Sequence, residues 1–487
     1  MDHYINLIHT HSQVVSIAVN LVFFFLILIA AILAISLMKF ENNTTRYFFI
    51  VYTLYWIPVM LIRSYRGTLQ LSIGDTDLLW IVVAGYGFSS VVVRLLANVI
   101  SYVFKYRKAF LFFSIIVQIC LLAPILCEVT TTASILQALA IGIGASCIGS
   151  YELLFKEQYS KDRSFLTISL LTIPPLVANF ISAPLMSVVR SAATVVSEGN
   201  KINTHTLLVL WALALAIICL VFLMLIFLRE DKRITTTLVN RKYYTHLKPF
   251  YIRHSKEAFL FFLLAVAGML IVFVKFTNSG AVAMLHIQAL AHYTGIESWA
   301  YEGWMPAIFS LFQLIAGVLV IQVLIRRWNL IGIFFLASVI WMGYEVAAAF
   351  IRNPIGYLFI QILNGFAYGL LFNLVLALVL KLASRKAVMN TMGIYQTFLA
   401  VGISLACWFA PWVKGQIMNH DMSFNSYMGA YMIENWIMLG CIGAAMIIFF
   451  IVGYEFNKLH KPEVVKPYID RTQALNESVV LSKAIEK

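Results

Sequence analysis

Thirteen stretches of this chain are each long and apolar enough to cross a lipid bilayer, and that repetition constrains the fold more than any single residue does. They lie near 14–38, 47–71, 78–103, 108–127, 132–155, 165–189, 206–228, 258–285, 304–325, 329–350, 354–381, 389–412 and 433–456. A spanning helix needs about 20 mostly apolar residues, whereas barrel strands are segments of about 10 residues with alternating polarity. These stretches are too long and too uniform for strands, so the chain is expected to be an all-α polytopic membrane protein. A hydrophobic content of 61% and a mean hydropathy of +0.88 lie well outside the range of soluble domains. No Lys or Arg occurs in the 13 residues before the first stretch, unlike the positive opening of a secretory signal, so that stretch reads as a retained helix.

The net charge of +13 points to lipid rather than nucleic acid once the cations are located. Loops 39–46, 104–108, 156–164, 229–257, 326–328 and 384–388 and the tail from 457 share one side and hold 26 of the 35 Lys and Arg. The opposite loops hold Arg190, Lys201, Arg352 and Lys414. By the positive-inside rule the C-terminus is cytoplasmic and the N-terminus outside, with an odd number of spans. The expected location is a bacterial plasma membrane. The six cysteines lie in or beside apolar stretches without CxxC spacing, as small core residues do.

The basic loop 229–257, with eight Lys or Arg against three acids, divides the body into bundles at 47–228 and 258–456. Residues 1–46 form an extra N-terminal helix and loop, and 457–487 a cytoplasmic tail. Two six-helix bundles joined by such a linker suit a transporter whose halves rock about a site near the midplane.

Arg63 and Lys275 each lie about sixteen residues into an apolar stretch, at corresponding places in the two halves. A cation at a helix centre costs roughly 2.5 to 3.5 kcal/mol on insertion scales, so it normally faces an interior cavity. Two at matched depth suggest an anion site: guanidinium offers a planar fork and ammonium a point charge. Tyr52 and Trp56 share a broad helical face with Arg63, while Asn278, Ser279 and His286 share one with Lys275. Tyr86, Gln361, Asn364 and Tyr368 add polar and aromatic surface for a substrate. Arg94, Glu152 and His286 are candidate coupling or structural charges; Glu152 reads as the strongest candidate for a membrane-embedded carboxylate. Arg66 lies where it can snorkel or pair with Asp75 or Asp77, and Glu345 and Arg352 read as rim residues. No metal-ligand cluster, nucleophile elbow or phosphate-binding loop appears, so neither an enzyme nor a cofactor is expected.

The segment order over roughly 47–456 resembles the major facilitator superfamily. After the second body helix the family carries a Gly-x-x-x-Asp-Arg-x-Gly-Arg-Arg type motif. The stretch from Arg94 to Lys108 keeps its cations, with Tyr102 in place of the aspartate. Arg326-Arg327 echoes the motif in the second half, and Ser384 to Gln396 looks like the loop leading into the eleventh helix. The run from Tyr52 to Arg63 is similar to the organophosphate:phosphate antiporters, which also carry an arginine in the seventh helix where Lys275 stands here. That resemblance implies a small organic anion, such as a phosphorylated metabolite, exchanged for phosphate by alternating access. Two alternatives stand beside it: a proton-coupled transporter of a non-anionic compound, using Glu152, and a non-transporting membrane sensor or scaffold.

Overall fold

The computed structural model describes residues 2–37, 43–74, 78–104, 107–147, 151, 164–195, 203–228, 255–296, 301–382, 388–418 and 423–459. Every regular element there is helical. The first half contains α1 (Asp2–Leu37), α2 (Asn43–Ile73), α3 (Leu79–Phe104), α4 (Arg107–Leu122), α5 (Thr131–Ser146), α6 (Ser164–Val195) and α7 (Val209–Phe227). The second contains α8 (Ser255–Thr277), α9 (Gly280–Thr294), α10 (Met305–Leu314), α11 (Ile321–Arg327), α12 (Leu330–Phe350), α13 (Pro354–Leu382), α14 (Val388–Met418) and α15 (Phe424–Leu459).

Ten helical segments among the described residues have the length and apolarity of membrane spans, with two shorter apolar helices at Leu79–Arg94 and Thr131–Ser146. Two of the stretches expected to span are not single regular helices. The stretch from 258 is two helices, because Ser279 is extended and Gly280 adopts a φ of 64°; that left-handed backbone favours glycine. The stretch from 304 is divided by a π-helical segment, Ile315–Val320, where the Asn373 amide donates to the Gly317 carbonyl at 2.9 Å. A side-chain donor there satisfies a group that the altered ladder frees.

The outer surfaces are apolar, as lipid contact requires: Phe113, Phe227, Phe350, Ile447 and Phe450 are all exposed. Polar side chains instead concentrate inside, which reverses the pattern of a soluble protein. The halves meet where α3 packs on α14, α6 on α10 and α2 on α9. Gly87 allows the closest of these approaches, since a Cβ there would strike the backbone of Ser404. The extra helix α1 lies along α6. It also reaches the second half, where the Trp304 indole donates to Asn20 Oδ1 at 2.8 Å and meets the Phe23 ring edge-on.

Small residues set helix spacing within each half as well. A Cβ on Gly365 of α13 would collide with the Phe309 carbonyl of α10, whereas one on Gly343 of α12 would meet nothing. Gly365→Val is therefore expected to destabilise the folded protein by about 1 to 3 kcal/mol. Thermal unfolding in detergent should show a lowered midpoint for that variant and none for Gly343→Val.

Candidate functional site

Arg63 and Lys275 converge from the two halves on one aromatic residue. The Arg63 guanidinium carbon lies 5.6 Å from the Phe276 ring centroid and the Lys275 ammonium 5.0 Å from it. Lys275 also lies 5.4 Å from the Phe309 ring and 4.3 Å from that of Tyr368. Three ring faces thus stabilise a half-buried ammonium, yet among the described residues no carboxylate pairs with it or with Arg63. Arg63 is buried and its Nε has no hydrogen-bond partner.

The broken helix supplies the remaining wall. Gly280 faces the Arg63 side chain, so that an added Cβ would lie 3.7 Å from Nε. Ser279 stands at the N-cap position of α9 but its hydroxyl caps nothing, and this buried oxygen also lacks a partner. The first amides of a helix carry a partial positive charge and attract anions. Arg63 therefore stands beside both the ring it shares with Lys275 and an uncapped helix start, a donor set of the kind that fits an anionic group.

Other cations and rings line the same region. Tyr86 stacks on Phe276, and Arg66 lies over Tyr86 at 5.0 Å. Arg66 is buried, donating to the carbonyls of Arg63 and Val83; this corrects the expectation that it snorkels, while Asp75 and Asp77 lie outside the described residues. Arg94 crosses between the halves, its Nη1 donating to the Gln396 carbonyl at 3.0 Å.

Several sequence candidates belong elsewhere. Tyr52 and Trp56 lie about 16 and 10 Å along α2 from Arg63 by helical rise, in a group with Phe48 and Tyr151. The Gln361 amide donates to the Tyr344 hydroxyl and accepts from Asn364. Asn278 gives its amide to both oxygens of Glu345, at 3.0 and 2.9 Å. His286 hydrogen-bonds the Tyr427 hydroxyl at 2.7 Å and stacks on Tyr431. The break at Gly280 removes the single helical face expected to join Lys275 to His286. Glu152 lies outside the described residues.

Three buried carboxylates were missed or misjudged. Glu345 is interior rather than at a rim, and Glu434 of α15 lies 3.6 Å from Lys414. Glu302 joins the halves: it pairs with Arg190 Nε at 2.9 Å, accepts from the Tyr65 hydroxyl at 3.0 Å and from Gln288 at 3.2 Å. Thr68 adds a bond to Gln288. This network bridges the two halves, because Tyr65, Thr68 and Arg190 are on the first and Gln288 and Glu302 on the second. An acid interrupting an apolar run, as in Trp341-Met-Gly-Tyr-Glu345, was the available signal.

No family profile and no curated protein matches the sequence. Solved structures match the fold throughout. The nucleoside transporter NupG has a TM-score of 0.58 at 14% identity, covering 84% of this chain and 99% of its own. A bacterial homologue of the human lysosomal transporter Spinster, in an inward-facing conformation, has 0.59 at 12%, covering 85% and 97%. The human organic anion transporter MFSD10 has 0.57 at 13%, covering 85% and 100%. The chain is an integral membrane protein with the all-helical fold of these transporters.

Removing one member of a buried ion pair costs roughly 3 to 5 kcal/mol. Arg190→Ala is thus expected to loosen this contact between the halves. A cysteine placed by Leu285→Cys, whose native side chain abuts Gly67 across the halves, should be alkylated at least about tenfold faster in that background. An unchanged rate would assign the hold between the halves to other contacts.

Proposed function

We propose that the protein is a secondary transporter of a small organic anion, working by alternating access of its two bundles. The observation that carries this reading is the pair Arg63 and Lys275, without carboxylate partners among the described residues, with Arg63 beside the uncapped start of α9. Their charge is neutralised when an anion enters, so the loaded cavity can be enclosed at lower cost than the empty one. A phosphorylated metabolite fits best: Arg63 presents a fork to two oxygens, Lys275 a point charge, and the α9 amides and Ser279 hydroxyl donors to a third. Tyr86 and Tyr368 offer flat surface and hydroxyls to the organic part.

Inorganic phosphate carries the same oxygens and is the proposed counter-substrate. An empty cavity that holds two unneutralised cations resists enclosure, which favours exchange over net flux. In this scheme the halves 47–228 and 258–456 rock about the site, and the Glu302 network opens as the opposite end closes. The charge distribution of the loops supports a cytoplasmic C-terminus. The organic anion carried by MFSD10 lends support at the level of substrate class.

Counterflow tests the reading. Proteoliposomes loaded with inorganic phosphate are expected to take up labelled phosphate and phosphorylated sugars. Arg63→Ala or Lys275→Ala should each lower that exchange at least about tenfold, since a hydrogen bond to a charged group contributes about 1.5 to 3 kcal/mol. Flux indifferent to both substitutions in folded protein would sink the proposal.

A further inference from the structure

The second half contains a buried cluster that the anion site does not use. It is built from Glu345 on α12, Tyr357 on α13, Lys414 on α14, and Tyr427, Tyr431 and Glu434 on α15, with Asn278 and His286 from the two sides of the helix break. Its two carboxyl groups are 1% and 0% exposed. The only lysine or arginine paired with either among the described residues is Lys414, at 3.6 Å from Glu434 and over the rings of Tyr427 and Tyr431.

The charges in this cluster do not balance. Two carboxylates with one ammonium leave a net negative charge in an interior that penalises it severely. The groups facing Glu345 cannot correct this. Asn278 is neutral, Tyr344 and Tyr357 are hydroxyls, Glu434 repels it, and Cys441 is a thiol. His286 hydrogen-bonds Tyr427 and stacks on Tyr431, the two rings over which Lys414 sits, so a charge on it would stand beside an existing cation. A proton is the simplest balancing cation.

We infer that Glu345 is a proton-binding site, and that the Asn278 amide transmits its protonation state to the helix break beside Lys275. The chemistry of the pair makes the link specific. An ionised Glu345 accepts, and the Asn278 Nδ2 supplies the donor to both its oxygens. A neutral Glu345 carries one O–H and must donate it. The same side chain holds the acceptor: Asn278 Oδ1 is buried and has no partner. Turning the amide over exchanges Nδ2 for Oδ1, so protonation is read as an amide reversal at the residue that ends α8.

Asn278 is followed directly by Ser279 and Gly280, the uncapped start of α9, and Lys275 lies one turn before it. A proton on Glu345 therefore acts on the geometry of the wall that receives the anion. Nothing is made or broken beyond the O–H bond: Glu345 gains one proton from water on one side and returns it to water on the other. One proton carried inward with the organic anion, and not returned with the outgoing phosphate, would offset a negative charge of the cargo and let a pH gradient drive the exchange. The inference rests on the anion reading for the cargo alone.

The test separates the two claims. Infrared pH-difference spectra of the purified protein are expected to show a buried carboxyl C=O band that titrates in the wild type, persists in Glu434→Gln and is absent in Glu345→Gln. This readout needs no transport. In proteoliposomes loaded with inorganic phosphate, an inward gradient of one pH unit should drive a further accumulation of the labelled anion, up to about tenfold at one proton per exchange cycle. Glu345→Gln should abolish that accumulation while keeping gradient-free counterflow within about twofold of wild type. A titrating band unchanged in Glu345→Gln, or no such band in the wild type, would overturn the inference, as would proton-driven accumulation by the variant. Absent counterflow in the wild type would instead count against the anion reading, leaving the infrared result to decide the proton site.

Discussion

A charge enclosed by helices in lipid has to find its counter-charge inside the protein, because neither the hydrocarbon nor bulk water is there to supply one. In this molecule that requirement is met in three different ways. Between the halves Glu302 and Arg190 satisfy each other, with Tyr65 and Gln288 as neutral donors. In the second half Glu434 has Lys414, and Glu345 has, among the described residues, the Asn278 amide. At the centre Arg63 and Lys275 have aromatic faces and a helix start, all of which welcome an anion but none of which is one. The sites left incomplete are the ones to which function is assigned.

The broken helix ties these sites together. Gly280 is close to Arg63 from the opposite half, Lys275 stands on the last turn of α8, and Asn278 at the break holds Glu345. One short segment therefore touches the first half, the central cations and the buried acid. A continuous helix would have hidden its amides in the hydrogen-bond ladder and offered no anion-attracting terminus. The left-handed backbone at Gly280 is what permits both the interruption and the close approach of the arginine.

Much of the fold was legible in the sequence because a bilayer makes a simple demand: length and apolarity locate helices, and loop cations locate their ends. The central pair Arg63 and Lys275 was legible for the same reason, since a cation in an apolar run stands out. The rest depended on side-chain direction. Tyr52 and Trp56 share a helix with Arg63 but lie turns away from it, and only packing assigns them to the Tyr151 group. Glu345 was misjudged because its distance from a span end says nothing about which way it faces. The break at Gly280 was invisible because a single glycine within an apolar run is ordinary and its φ is not written in the sequence. Phe276 and Phe309 became part of a cage through partners on other helices.

The central claim is that the midpoint of the bundle is an anion site completed by its ligand. Thermal unfolding of the purified protein across a ligand series measures this without reconstitution, because a ligand that binds only the folded state raises the midpoint by mass action. Inorganic phosphate and phosphorylated sugars should raise it saturably in the wild type, and the rise should vanish in Lys275→Ala while neutral sugars and matched chloride have no effect. Equal stabilisation by the uncharged compounds, or a phosphate effect that survives the loss of Lys275, would contradict the account.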